Sequence, residues 1–210
     1  MKTTNSLQLK ANAQRFTQLE RSQFTLTNYL KEALIGLLLG DLYARKRHLN
    51  THLVFKQGVI HKEYLDHLFV LFQSFCMAEP KISKDKSVRF HTRALPCFNE
   101  IYDFFYFEGK KVVPSNIGEL LTPVGLAFWI SDDGTFSKIN GTVTLCVECF
   151  SKSDVESLMA VLTNKFGLEC RIEKRSKIYF RIVIKRSSLV RLREIVSPHF
   201  HNSMLYKLGL

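Results

Sequence analysis

Two apolar runs in this chain stop abruptly on an acid: LIGLLLGD at residues 34–41 and LAFWISDDG at residues 126–134. Their acids Asp41 and Asp133 lie 92 residues apart, and the segments after each run repeat in the same order. After the first come the basic stretch YARKRHLN, the alternating pattern THLVFKQ, the helical pattern KEYLDHLFVLFQSF and the alternating pattern SVRFHTRA. After the second come TFSKING, TVTLCVECF, SDVESLMAVLTNKF and KIYFRIVIK. A period of nearly half the chain, with apolar spacing switching between that of a helix and that of a strand, predicts two copies of one unit: helix, two strands, helix, two strands and further helix.

Local signals support the elements. Thr122 followed by Pro123 announces the second acid-terminated run as a helix, with a cap residue and then proline in the first turn. Ser153 is the expected N-cap of the helix that Gly167 ends, with Leu158, Val161 and Leu162 on one face. In IYFRIVIK, Ile178, Phe180, Ile182 and Ile184 alternate with Tyr179, Arg181, Val183 and Lys185. In SVRFHTRA, Arg89, His91 and Arg93 share a face opposite Val88 and Phe90. His52 groups with Lys56, and Thr142 with Thr144 and Glu148. Each half therefore offers a sheet apolar on one side and polar, often basic, on the other.

Composition sharpens that picture. The 210 residues carry 30 Lys+Arg against 19 Asp+Glu, a net charge of +11, so a polyanion is the natural partner and nucleic acid leads. An antiparallel ribbon fits the DNA major groove, which gives the basic sheet faces a use. Five cysteines are an odd number for a disulfide framework, and a reducing compartment is expected. Cys146 and Cys149 form one CxxC, but on an expected strand they face opposite sides, and no second CxxC completes a zinc site. The first residues read as a polar arm without the apolar core of a secretion signal, and no run is long enough to span a bilayer. No GxSxG turn suggests a serine hydrolase. His199 and His201 bracket Phe200 without further ligands, His61 and His67 are expected on the surface, and Trp129 in the core.

The acids themselves carry the chemistry. A carboxylate at a helix C-terminus opposes the macrodipole, so two at equivalent points of a repeat need a reason. If the apolar runs pack about a pseudo-twofold axis, the carboxylates converge. Gly36 and Gly40, four apart, would let the helices approach closely, as the small residues Ala127 and Ser131 would on the partner. Converging carboxylates in a basic protein suit Mg²⁺, a hard cation that takes few protein carboxylates plus phosphate oxygens and water.

With both runs in register, together with KKVVP before LLTPVGLAFWISDDG and the closing MLYKLGL, the sequence resembles the LAGLIDADG homing endonucleases, specifically their single-chain, two-motif members of the omega-intron type, over residues 28–208. The resemblance implies an α+β fold of two pseudo-symmetric αββαββα units, with saddle-shaped antiparallel sheets and the signature helices packed at the centre. Its divisions are an arm over 1–25, half-domains over 26–106 and 123–210, and a linker over 107–122. It implies a site-specific, double-strand DNA endonuclease serving intron mobility. The enzyme would be a monomer that uses Mg²⁺, with Mn²⁺ or Ca²⁺ able to substitute for binding. Its partner would be a long asymmetric duplex cut across the minor groove, with no membrane association and an organellar location. An intron-encoded RNA maturase of the same fold, with intron RNA as partner, is the alternative.

Carried over residue by residue, the resemblance makes Asp41 and Asp133 catalytic metal ligands, with the backbone of Gly40 and Asp132 beside them. It makes Lys207 and either Lys110 or Lys111 the lysines near the cleavage centre. The first motif departs from the pattern in having Leu42 where the second has Gly134. The implied sheets make Arg45, Arg47, His52, Lys56, Arg89, His91, Arg93, Lys138, Asn140, Thr144, Arg171, Lys174, Arg181 and Lys185 the candidate DNA contacts.

Overall fold

A computed structural model describes residues 16–176 and 178–210. Two sheets of equivalent topology organise it. In the first, β1 (Tyr43–Arg47), β2 (Asn50–Gly58), β3 (Lys81–Ile82) and β4 (Ser87–His91) run antiparallel in the order β1-β2-β4-β3. In the second, β7 (Gly134–Ser137), β8 (Thr142–Cys146), β9 (Cys170–Lys174) and β10 (Phe180–Ile184) take the matching order β7-β8-β10-β9. The described residues divide into two compact units, one of Asp41–Tyr102 with residues 16–30, the other of Lys31–Gly40 with Asp103–Leu210.

In the first unit, alternation buries Leu53, Phe55, Val88 and Phe90 on one sheet face beneath α3 (Lys62–Phe72). Phe55 and Phe90 are register partners whose rings stack with centroids 4.4 Å apart, and Phe72 closes on Phe55 at 5.0 Å. Much of the expected arm, residues 1–15, lies outside the described residues. Its end folds: α1 (Gln18–Ser22) starts in a reciprocal capping box between Thr17 and Glu20, and Phe24 packs against Phe75.

The second unit places Val143, Leu145, Ile182 and Ile184 beneath α7 (Lys152–Phe166), which contributes Val155, Leu158, Leu162 and Phe166. The N-cap of α7 is Ser151, two residues earlier than expected. Ser151 accepts from the Asp154 N–H while the Asp154 carboxylate accepts from the Ser151 N–H, a reciprocal pair that Ser153 could not form with Asp154 at its required spacing. Gly167 ends the helix as expected, in the left-handed conformation at φ 68°. Residues 107–122 are structured: α4 (Asn99–Phe105) leads into the ribbon β5 (Tyr106–Phe107) and β6 (Lys110–Lys111), and α5 (Ile117–Leu120) buries Ile117.

The two acid-terminated runs are helices, α2 (Asn28–Leu39) and α6 (Pro123–Asp133). Residues Val124–Asp132 are buried on every side, which is why the run shows no polar face in sequence. Thr122 accepts from the Gly125 N–H as the N-cap and donates to Glu32 Oε2 of α2 at 2.6 Å. Gly36 packs on Gly125: a Cβ built on Gly36 would sit 1.9 Å from the Gly125 carbonyl oxygen. Gly40 packs on Asp132, with a built Cβ only 2.6 Å from the Asp132 Cβ. At Gly36 and Gly125 the backbones touch because neither interposes a side chain, whereas Gly40 makes room for the Asp132 side chain.

Other expectations shift where an element ends early. β8 stops at Cys146, so Cys149 lies in the turn beyond it rather than on the strand. Ile178 and Tyr179 precede β10 and are exposed, whereas Val183 is buried between its register partners Thr144 and Arg171 on the adjoining strands. His61 and His67 are half-buried rather than exposed, and Trp129 is fully buried. Among the described residues no helix is long and apolar enough to cross a membrane.

Gly36→Ala should destabilise the protein by roughly 3 kcal/mol or more, because the methyl meets backbone that cannot rotate away. Gly58→Ala, whose nearest neighbour is an Ile60 methyl at 3.7 Å, should change stability by less than about 1 kcal/mol. Urea unfolding midpoints measure both; equal midpoints would remove the glycine contact from its central place.

Candidate nucleic-acid interface and metal centre

Each acidic tip has a lysine at the carbonyl just before its acid. Lys111 Nζ donates to the Gly40 carbonyl at 2.7 Å, next to Asp41 in the chain. Lys207 Nζ donates to the carbonyls of Ser131 and Asp132, both at 2.6 Å, next to Asp133. The lysine near the first tip is Lys111; Lys110 is exposed. Lys207 is 8% exposed and rides on a 3-10 helix over Asn202–Leu208, whose end is fixed by Gly209 at φ 73°. A cation at the last carbonyls of a helix is the complement to its macrodipole. The same two lysines therefore offset the electrostatic cost of a carboxylate at, or two residues beyond, each helix end.

The tips are alike without being identical. The helix α2 ends at Leu39, so the chain has left the helix by Asp41, and Leu42 is free to turn into the core, 2% exposed. The helix α6 continues through Asp133, and a Cβ on the next residue, Gly134, would strike the Ile130 carbonyl oxygen at 2.5 Å. The departure of Leu42 from the repeat thus results from where the helix stops. Asp41 also accepts a hydrogen bond from Gln57 Nε2 at 2.9 Å. Gln57 is not apparent from the sequence because its strand parity places it with Phe55 on the apolar side.

The donor set at each tip is a carboxylate with a neighbouring backbone carbonyl, all hard oxygen. Among the described residues no three His, Cys, Asp or Glu side chains gather as a metal cage. That set fits a hard divalent ion that completes its shell with water and phosphate oxygens, rather than a soft or fully enclosed metal. Cys146 and Cys149 lie in the electrostatic surroundings of Asp133, and burial, the leading cause, pushes both thiols up, away from the thiolate a soft metal would need.

The open face of the first sheet is strongly basic. The register sets Arg45 opposite His52 and Lys56 opposite Arg89, and His91 opposite Val54, all on the side away from Phe55 and Phe90, although His52, expected as a DNA contact, is buried among its neighbours at 8% exposure. Arg47 lies on the same parity of β1. Lys81, opposite Arg89 on β3, joins this face; its two-residue strand is too short to show in sequence. Arg93 departs from the expected grouping: β4 ends at His91, and Arg93 is buried with its guanidinium over the Phe16 ring at 4.3 Å.

The second sheet mixes its charges. Arg181 donates to Glu148 at 2.6 Å, Lys185 pairs with Glu169 at 3.4 Å, and Arg171 reaches Glu173 at 3.8 Å. Thr144 is half-buried between Thr135 and Val183. Lys138 and Asn140 are exposed in the turn between β7 and β8. Lys174 is exposed at the end of β9, on the opposite parity from Arg171. The comparable pair in the first sheet joins Lys56 to Asp85 at 3.0 Å.

A model of the LAGLIDADG DNA endonuclease family matches residues 31–192. The chain is 34% identical to the cytochrome b mRNA maturase bI2 of Saccharomyces cerevisiae over 84% of its length, and spans only 46% of that protein. It is 28% identical to the probable intron-encoded endonuclease 1 of Wickerhamomyces canadensis, covering 96% of this chain and 93% of that one. Its structure is similar to that of the homing endonuclease I-WcaI bound to its DNA recognition sequence, with a TM-score of 0.81, 27% identity and coverage of 90% and 91%.

The histidines of the basic face make stability depend on pH. Burial, then Arg47, lowers the pKa of His52 below the ordinary 6.5; burial, then Arg89, does the same for His91. The unfolded chain therefore protonates these rings first as pH falls through about 6.5, and the stability present above that value is lost below it. The urea midpoint should fall between pH 7.5 and 5.5, and less so in a His52→Gln, His91→Gln double variant. Identical slopes would contradict the assignment.

Proposed function

Because the chain belongs to the LAGLIDADG DNA endonuclease family, whose model covers most of its length, we propose that it is a site-specific, divalent-metal-dependent DNA endonuclease that cuts both strands of a long asymmetric duplex. The observation that carries this reading is the paired design of the helix tips, an acid at each with a lysine on the carbonyl before it. Asp41 with the Gly40 carbonyl, and Asp133 with the Asp132 carbonyl, are the groups that would hold Mg²⁺. When bound, such an ion supplies charge neutralisation at the phosphate and a lowered pKa for attacking water. Each Asp serves mainly one scissile phosphate. Lys111 and Lys207 bring a positive charge to each tip, where it can orient water or stabilise developing charge on the phosphate.

The open sheet faces supply affinity. Arg45, Arg47, Lys56 and Arg89, with Lys81, neutralise phosphates or read base edges in the major groove, and Arg181, Arg171 and Lys185 do so once their acidic partners yield. A first sheet dense in cations and a second whose cations are paired with acids suit a target whose halves differ. The protein acts as a monomer, and its relatives' cytochrome b and intron names support an organellar setting. A second reading, assistance in RNA splicing, is favoured by one observation, the 34% identity to a protein named as an mRNA maturase. The two activities are separable by assay.

Asp41→Asn and Asp133→Asn should each abolish double-strand cleavage in Mg²⁺ while leaving salt-dependent duplex binding within about twofold of the parent. Plasmid cleavage and filter binding on a target selected from random sequence measure this. A variant that cuts both strands at the parental rate would sink the reading, and splicing of intron RNA without any duplex cleavage would favour the second.

A further inference from the structure

The first hairpin of each sheet ends in a large apolar side chain held out in solvent. Leu49, in the turn between β1 and β2, is 75% exposed; Ile139, in the turn between β7 and β8, is 93% exposed. A lone exposed aliphatic residue is ordinary on a protein surface. Two in equivalent hairpins of a repeated topology, each at the head of a sheet proposed to bind DNA, point to a shared use.

Both turns are braced rather than loose. His48 takes a left-handed conformation at φ 54°, and the Asn99 side chain spans the turn, donating to the Leu49 carbonyl and accepting from the Thr51 N–H, both at 2.9 Å. In the second turn, Gly141 at φ 63° donates to the Ser137 carbonyl at 2.7 Å and the Asn140 N–H reaches Ser137 Oγ. Cations flank them, Arg47 before Leu49 and Lys138 before Ile139. A side chain pre-positioned next to phosphate-binding charges loses little entropy when it meets DNA.

The major groove offers such a side chain one apolar feature, the C5-methyl of thymine. Resting on the proposed DNA-cleaving function, we propose that Leu49 and Ile139 are specificity determinants, each packing against a thymine methyl near one outer end of the target. Leu49 stands eight residues beyond Asp41 and Ile139 six beyond Asp133. Extended chain at about 3.3 Å per residue gives roughly 20–26 Å, or about six to eight base pairs from the cut at about 3.4 Å each.

The test uses the full chain and a duplex selected from a random library in Ca²⁺. The selected site should hold thymine about six to eight base pairs from each cut. Each thymine is then replaced singly by uracil, which removes only the methyl. Wild type should lose about fourfold in affinity at one position in each arm, the worth of one buried methyl. Ile139→Ala should lose that sensitivity in its own arm while keeping it in the other, and Leu49→Ala the reverse; neither exposed position endangers folding. Indifference of the wild type to every replacement, or undiminished sensitivity in both variants, overturns the proposal while leaving the nuclease reading intact. Failure to select any duplex overturns the nuclease reading and the role of the two turns with it.

Discussion

Backbone contact between Gly36 and Gly125 is the constraint on which the rest of the site depends. With any side chain at Gly36 the helices would be forced apart, since its first carbon already falls inside the Gly125 carbonyl. The contact fixes the helices in register, so that Gly40 meets Asp132 and the last carbonyls of both helices end side by side within one unit. A hydrogen bond from Thr122 to Glu32 ties the start of α6 to α2. Packing thus decides where the acids stand, and it does so with residues that do no chemistry.

Electrostatics then makes those positions tolerable. An acid at a helix C-terminus faces the negative end of the dipole, yet each tip receives a lysine ammonium at the carbonyls next to it. Lys207 is buried, a costly placement for an ammonium that two carbonyl acceptors offset. That balance explains why such apolar runs end on carboxylates. Each tip is a charge-balanced assembly of acid, carbonyl and cation.

Much of this is legible in sequence, for identifiable reasons. The repeat, the matching sheet topology, both signature helices and the Gly167 stop rest on local periodicity and backbone preference, which tertiary contacts do not override. The features that escape depend on where elements end. β4 stops at His91 and lets Arg93 turn inward to Phe16, and β8 stops at Cys146 short of Cys149. The helix partners of Gly36 and Gly40 escape because sequence spacing does not give a crossing angle, and ridges of one helix can enter several grooves of another. The choice between Lys110 and Lys111 requires the β5–β6 ribbon, two residues in each strand, which no periodic pattern reveals.

If each acidic tip, with its preceding carbonyl, holds a divalent ion against a scissile phosphate, anomalous diffraction from Mn²⁺ in a crystal of the chain with its selected duplex will show it most directly. Peaks should coordinate Asp41 with the Gly40 carbonyl and Asp133 with the Asp132 carbonyl, with Lys111 and Lys207 moved off those oxygens. Metal bound elsewhere, with either carboxylate out of coordination contact, would contradict the account.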